Sequence, residues 1–210
     1  MGTPPIELAL FAVGTQGGCG FLVADNTRPK TAPPLVITAA HCLPRLPPAR
    51  PVSYAYERTY QRLLGPLGGE TTVSAECLFA DPISDLAVLG CRDKQAYSDE
   101  ADAYEWLVDG GLLLPISHAT GLRGRVLTLT GQWKACGLSA GYGRLIVHDG
   151  EMPSDPKDVV SGSPILDTSD RAVGVVSCNQ LHPILTRDLP RWFFGDRQIG
   201  HEVARVWERR

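Results

Sequence analysis

The sequence predicts an all-β protein, a sandwich or a barrel, that closes with a short helix. Three observations carry this expectation. Apolar runs of about four to eight residues, rich in Val, Leu, Ile and Thr, recur along the chain. Gly- and Pro-rich breaks separate them, and helical periodicity is confined to the C-terminal end. The 210 residues, 43% hydrophobic and 20% charged, can bury a sizeable core as one domain or as two closely packed halves.

In chain order the first group of runs is "ELALFAVG", "GFLVAD", "PLVITA", "TTVSAECLF" and "DLAVLGC". Between them, Asn26 to Pro34 and Pro44 to Pro51 read as proline-rich surface loops. The acidic stretch Arg92 to Gly111 has no strand pattern and divides the runs into two groups of similar size, so it reads as the connection between two β-halves. The second group is "RVLTLTG", "KACGL", "GRLIVHDG", "SPILD" and "AVGVVSC". The irregular apolar segment that follows brings Trp192, Phe193 and Phe194, which either pack over one half or form an exposed docking patch. Ile199, Val203, Val206 and Trp207 then fall at i, i+4, i+7 and i+8, the buried stripe of a C-terminal helix. The expected organisation is a single domain over residues 1–210. Its first half spans 1–95, its second 112–196 and its helix 197–210.

Composition removes several function classes. The net charge of −3 comes from dispersed residues of both signs, which offers no footprint for nucleic acid or an anionic membrane surface. No apolar run approaches the roughly 20 residues needed to cross a bilayer. The opening "MGTPPIELALFAVG" has no basic segment ahead of its apolar run, so the expected location is cytoplasmic unless the chain begins after a removed signal. The six cysteines stand singly, with no Cys-x-x-Cys or Cys/His pair at ligand spacing. No metal is expected, and most of the six read as small buried apolar residues.

Hydrolysis through a serine needs a hydroxyl, a base within hydrogen-bond reach and a carboxylate that fixes the tautomer of the base. One candidate for each stands in the order His41, Asp85, Ser161, at separations of 44 and 76 residues. His41 ends the β run "LVITAAHCL", where a strand gives way to a turn. Asp85 follows the turn "DPIS" and opens "DLAVL". Ser161 lies in "SGSP", where Gly162 permits unusual dihedrals and Pro164 enforces a turn into "ILD". Taken singly, each is an ordinary loop or turn residue.

Taken together, "ITAAHC", "DLAVL" and "SGSP" resemble the histidine, aspartate and serine motifs of the trypsin-like, chymotrypsin-fold serine peptidases. "GCGFLV" is similar to the family's strand before the histidine, and "AVGVVSCN" to the strand that lines its cleft, so the resemblance covers nearly the whole chain. It implies two packed antiparallel six-stranded β-barrels with the active site between them. His41 and Asp85 would come from the first barrel and Ser161 from the second. It implies no cofactor, and as partner a protein or peptide substrate, with a regulatory partner or fused domain as a further expectation.

The resemblance also implies finer roles. The main-chain N–H groups of Val159 and Ser161 would form the oxyanion hole. Cys19 and Cys42 match the disulfide beside the histidine, with oxidation depending on compartment. Ser177 and Asn179 fall where the family binds substrate main chain as an added strand. Cys178 is a small apolar pocket wall or a reactive thiol. Asp155, six residues before Ser161, matches the carboxylate that selects Arg or Lys, although Asp158 or a solvated turn explains the acids equally well. His118, His148, His182 and His201 read as surface residues. The chain departs from the family at Val159 and Val160, where Gly-Asp or Gly-Asn is usual. Either the hole is malformed until substrate or a partner binds, or Val159 takes an ordinary β conformation with its N–H in place. The expected function is a selective serine endopeptidase, with a weakly active or inactive binding module of the same fold as the alternative.

Overall fold

Several strands of the first half are buried along nearly their whole length, and the way they close explains why. The computed structural model describes residues 5–14, 17–24, 32–48, 54–117, 123–148, 158–177 and 181–194. Strands β1 (Leu10–Val13), β2 (Gly18–Val23), β3 (Leu35–Thr38), β4 (Thr59–Pro66), β5 (Val73–Asp81) and β6 (Leu86–Gly90) form a closed antiparallel barrel. Its order is β1-β2-β3-β6-β5-β4, sealed where Phe11, Ala12 and Val13 pair with Pro66, Gly65 and Leu64. Every residue of β3 and β6 is buried, because one face of each fills the barrel while the other packs outward on the rest of the protein. That is why these two strands read as unbroken apolar runs.

The second half holds β7 (Arg123–Leu127), β8 (Trp133–Gly141), β9 (Arg144–His148), β10 (Pro164–Asp167), β11 (Ala172–Val175) and β12 (Leu181–His182). They make one antiparallel six-stranded sheet in the order β11-β10-β7-β8-β9-β12. An antiparallel bridge between Gly174 of β11 and Ile184, just after β12, brings the two edges together, so this second barrel is nearly closed. The fold is thus the chymotrypsin-like pair of antiparallel barrels.

One core is common to both. Leu10, Phe21, Leu35 and Ile37 of the first barrel pack in a single cluster with Leu127, Leu166 and Val175 of the second. Trp192 and Phe193, on a 3-10 turn, are buried in that cluster, whereas Phe194 is half exposed. The aromatic segment therefore seals the seam between the barrels.

The connection between the halves is more ordered than its acidic sequence predicts. After a short helix α1 (Ala55–Arg58) in the first barrel, a second helix α2 spans Ser98–Val108. Asp99 and Glu100 lie in its first turn, where the helix dipole favours them. Ala101, Tyr104 and Val108, at i, i+3 and i+7, are buried against the first barrel, and the Tyr104 hydroxyl donates to the Pro34 carbonyl at 2.8 Å. Three buried positions among acids and an exposed Trp106 make a stripe too narrow to dominate the sequence pattern. Beyond α2 the chain bonds to both barrels: Leu114 N–H donates to Leu22, and Ser117 N–H to Ala172, each at 3.0 Å. A third helix, α3 (Leu185–Asp188), packs on β11. The expected helix over 197–210 lies outside the described residues.

Candidate active site

His41 sits on a 3-10 turn, Ala40–Cys42, directly after β3. Its main-chain N–H donates to Asp85 Oδ1 at 2.9 Å, and Nδ1 pairs with Asp85 Oδ2 at 2.7 Å. With Nδ1 as donor, the neutral ring carries its lone pair on Nε2. The atom recorded beside Nε2 is Cys42 Sγ at 3.9 Å. The Asp85 hydrogen bond, and secondarily the Cys42 contact, push His41 above its ordinary range.

Asp85 ends the turn between β5 and β6 in a left-handed conformation, φ 59°, which aspartate tolerates better than most residues. The turn is braced from both barrels. Asp81 Oδ1 accepts the N–H groups of Ile83 at 2.8 Å and Ser84 at 3.2 Å. From β9, the Arg144 guanidinium donates to the carbonyls of Ile83 at 2.6 Å and Ser84 at 3.2 Å. The Ser177 hydroxyl donates to Asp85 Oδ2 at 2.5 Å. Burial opposes ionisation of Asp85, but the bonds from His41 and Ser177 outweigh it and hold the carboxyl below the usual carboxylate range.

Ser161 lies on a tight turn closed by the Ser163 N–H to the Val160 carbonyl at 3.2 Å, which the Ser163 hydroxyl reinforces at 2.7 Å. Gly162 has φ +80°, and a Cβ on it would stand 2.1 Å from the Cys19 carbonyl oxygen and 2.6 Å from Thr38 Oγ1. Only glycine fits there. The Ser161 carbonyl accepts the Cys19 N–H at 2.8 Å, which ties the turn to β2. His41 and Ser161 line one crevice of about 470 Å³ together with Cys42 and Val159. Among the described residues Ser161 has no side-chain hydrogen bond to His41. The crevice shares Gly17, Gly18, Pro44 and Leu129 with a larger groove of about 1130 Å³.

Val159 stands in an antiparallel bridge with Thr128 and does not have positive φ, so its backbone is ordinary β. The Asp158 carbonyl accepts from Leu129 at 2.8 Å, and Val160 N–H donates to Leu127 at 3.0 Å. In a trans peptide the N–H points opposite to the carbonyl, so the Val159 N–H faces away from Leu129. The same geometry turns the Ser161 N–H away from Ser163. Neither N–H donates to a main-chain carbonyl among the described residues.

The other sequence candidates separate into three groups. Ser177 reaches the site, through a hydroxyl bond to Asp85 that the strand pattern did not suggest. Cys19 and Cys42 are both free thiols here, and burial pushes Cys19 up to about 12. Asp155, Cys178 and Asn179 lie outside the described residues, as do His118 and His201. His148 is exposed and bonded to Ser139, whereas His182, expected at the surface, is buried with Nδ1 accepting the Ser177 N–H at 3.0 Å. It occupies β12, paired with Leu145 of β9, with its ring turned to the Ser177 main chain. Arg144, 60 residues from the turn it braces, carried no sequence signal. No group of His, Cys, Asp or Glu among the described residues is disposed to hold a metal ion.

Residues 18–175, most of the chain, match the trypsin-like peptidase domain. The chain belongs to the trypsin-like peptidase family. The barrels resemble those of a serine protease from a human pathogenic astrovirus, with a TM-score of 0.51 at 16% identity, over 88% of this chain and 94% of that one. No curated protein matches the sequence. The trypsin-like pattern of motifs therefore lies on the fold that the family requires, and the family indicates a serine protease. No helix among the described residues is long and apolar enough to cross a membrane.

Proposed function

We propose that this chain is a serine endopeptidase in which Ser161 is the nucleophile, His41 the general base and then acid, and Asp85 the group that orients His41. The observation that carries this reading is the doubled hydrogen bond from His41 to Asp85 at the rim of the crevice that Ser161 also lines. Ser161 Oγ attacks the scissile carbonyl while His41 Nε2 takes its proton. The oxyanion is received by the N–H groups of Val159 and Ser161. Collapse expels the amine, which is protonated by His41, and water then hydrolyses the acyl-enzyme by the same route. Substrate draws Nε2 from Cys42 to Ser161, a tightening common to such sites.

Selectivity for a particular partner rests on the sequence: proline-rich Asn26 to Pro34 and Pro44 to Pro51 and the irregular chain after Asn179 are the segments that would narrow access to the crevice. Preference for Arg or Lys rests on Asp155, and digestion of a peptide library that yields no such preference removes that role. A second reading, a protease-fold binding or regulatory module, is favoured by the Nε2 contact to Cys42 in place of Ser161. Labelling with a fluorophosphonate decides between the two: the enzyme labels and its Ser161→Ala variant does not. Absence of Ser161-dependent labelling, with candidate partners added, leaves the binding module.

A further inference from the structure

His182 has no part in the mechanism above, yet it is 6% exposed and directly bonded to the site. It pairs with Leu145 of β9 in the sheet, and its Nδ1 accepts the Ser177 N–H at 3.0 Å. A ring nitrogen that accepts carries no proton, so the tautomer is fixed with hydrogen on Nε2. Burial, which pushes His182 down to about 4, keeps the ring neutral.

What the acceptor holds gives it meaning. Val176 and Ser177 form a link between two catalytic groups. The Val176 carbonyl accepts the Gly162 N–H at 2.9 Å, and its own N–H donates to the Ser163 carbonyl at 2.9 Å, so this end is bonded to the nucleophile turn. At the other end the Ser177 hydroxyl donates to Asp85. The Ser177 N–H is the remaining donor of this buried link. Without an acceptor the peptide would be driven to turn toward another partner, and the hydroxyl would move with it.

We infer that His182 is a positioning residue of the active site, an acceptor that locks the Val176–Ser177 link so that Ser177 holds Asp85 against His41. Its kinetic consequences rest on the protease reading, whereas its effect on the His41–Asp85 bond does not. Asparagine places an acceptor oxygen where Nδ1 stands, glutamine places its amide near Nε2, and leucine offers none. The experiment compares His182→Asn, His182→Gln and His182→Leu in the full chain. Its first readout is the low-field proton resonance of His41 Nδ1, identified by its loss in Asp85→Ala, and its second is kcat and KM on a peptide found by library digestion.

The Gln and Leu variants are expected to lose or shift the resonance and to lower kcat about 10- to 100-fold with KM unchanged, the signature of a misplaced catalytic group. The Asn variant is expected to restore the resonance and recover most of kcat. Folded Gln or Leu variants with the wild-type resonance would falsify the inference, and so would an Asn variant no better than Gln. If the Leu variant does not fold, the Asn and Gln pair decides alone. A wild-type protein that neither cleaves nor labels refutes the protease reading, and the resonance still decides the role of His182.

Discussion

In the first barrel, His41 and Asp85 are joined by two direct hydrogen bonds, whereas Ser161 of the second barrel is placed by the main-chain bonds of its own turn and reaches neither. The restraints run the other way. Arg144 and Ser177, which brace Asp85 and its turn, both belong to the second barrel, and Cys19, which ties down the Ser161 carbonyl, belongs to the first. Each barrel therefore carries groups of the proposed triad that the other holds in place. On the proposed mechanism the seam between them is part of the chemistry, and loosening it should cost rate before it costs fold.

The largest expected effect comes from breaking the pair inside the first barrel. Asp85→Asn keeps a residue that tolerates φ 59° but can no longer accept from both His41 and Ser177 as a carboxylate. A fall of about 10⁴-fold in kcat is expected in steady-state assays with the fold intact by circular dichroism. A loss smaller than about tenfold would mean that the pair does not orient the base.

Next comes the bond that ties the Ser161 turn to β2. Gly162→Ala forces a Cβ to 2.1 Å from the Cys19 carbonyl in a left-handed conformation. The turn must shift or the barrels part, at a cost of about 3 kcal/mol or more in urea unfolding. Stability within about 0.5 kcal/mol of wild type would show that the turn has freedom this geometry denies it.

Arg144→Met tests the restraint in the opposite direction at smaller scale. It removes the donors to Ile83 and Ser84 but keeps the apolar stem. The expected cost is about 1–2 kcal/mol of stability and a roughly tenfold lower kcat, since the turn that presents Asp85 loses its brace. If stability falls and kcat does not, Arg144 joins the barrels without positioning the acid.

The sequence made legible what short-range pattern encodes. Unbroken apolar runs marked β3 and β6, and the turn chemistry of Gly162 and Pro164 marked the Ser161 turn. The division into two β-halves was legible in the acidic stretch Arg92 to Gly111, whereas their barrel form came with the motifs, because periodicity alone left sandwich and barrel open. What stayed hidden is long-range or sparse. The α2 helix buries only Ala101, Tyr104 and Val108 within an acidic stretch. The Ser177 and Arg144 contacts to Asp85 and its turn span the seam between barrels, and the burial of His182 depends on sheet register that no local pattern states. Val159 shows a different limit: a β-branched residue raised doubt about the oxyanion hole, and the partner strand segment at Thr128 accounts for its ordinary β backbone.

The smallest expected effect lies in the pH dependence of stability, and it isolates the first-barrel pair from the rest. His41 is pushed up to about 10, chiefly by its bond to Asp85. The folded protein therefore holds the His41 proton more tightly than the unfolded chain, whose histidine titrates near 6.5. The stabilisation is fully present below about pH 6.5 and is lost as pH rises through about 10. Asp85, held low, contributes above the ordinary carboxylate range and loses its share as pH falls through its folded value. Urea midpoints of the wild type and His41→Gln should differ most near pH 6 and converge above pH 10. Apart from Asp85, whose carboxyl loses its side-chain bond to His41 in that variant, the titrating groups are common to both proteins and drop out of that difference. A gap that persists unchanged into alkaline solution would mean that His41 stabilises by packing rather than by its proton on Asp85. Activity should move the opposite way, rising with pH as Nε2 is freed to act as base.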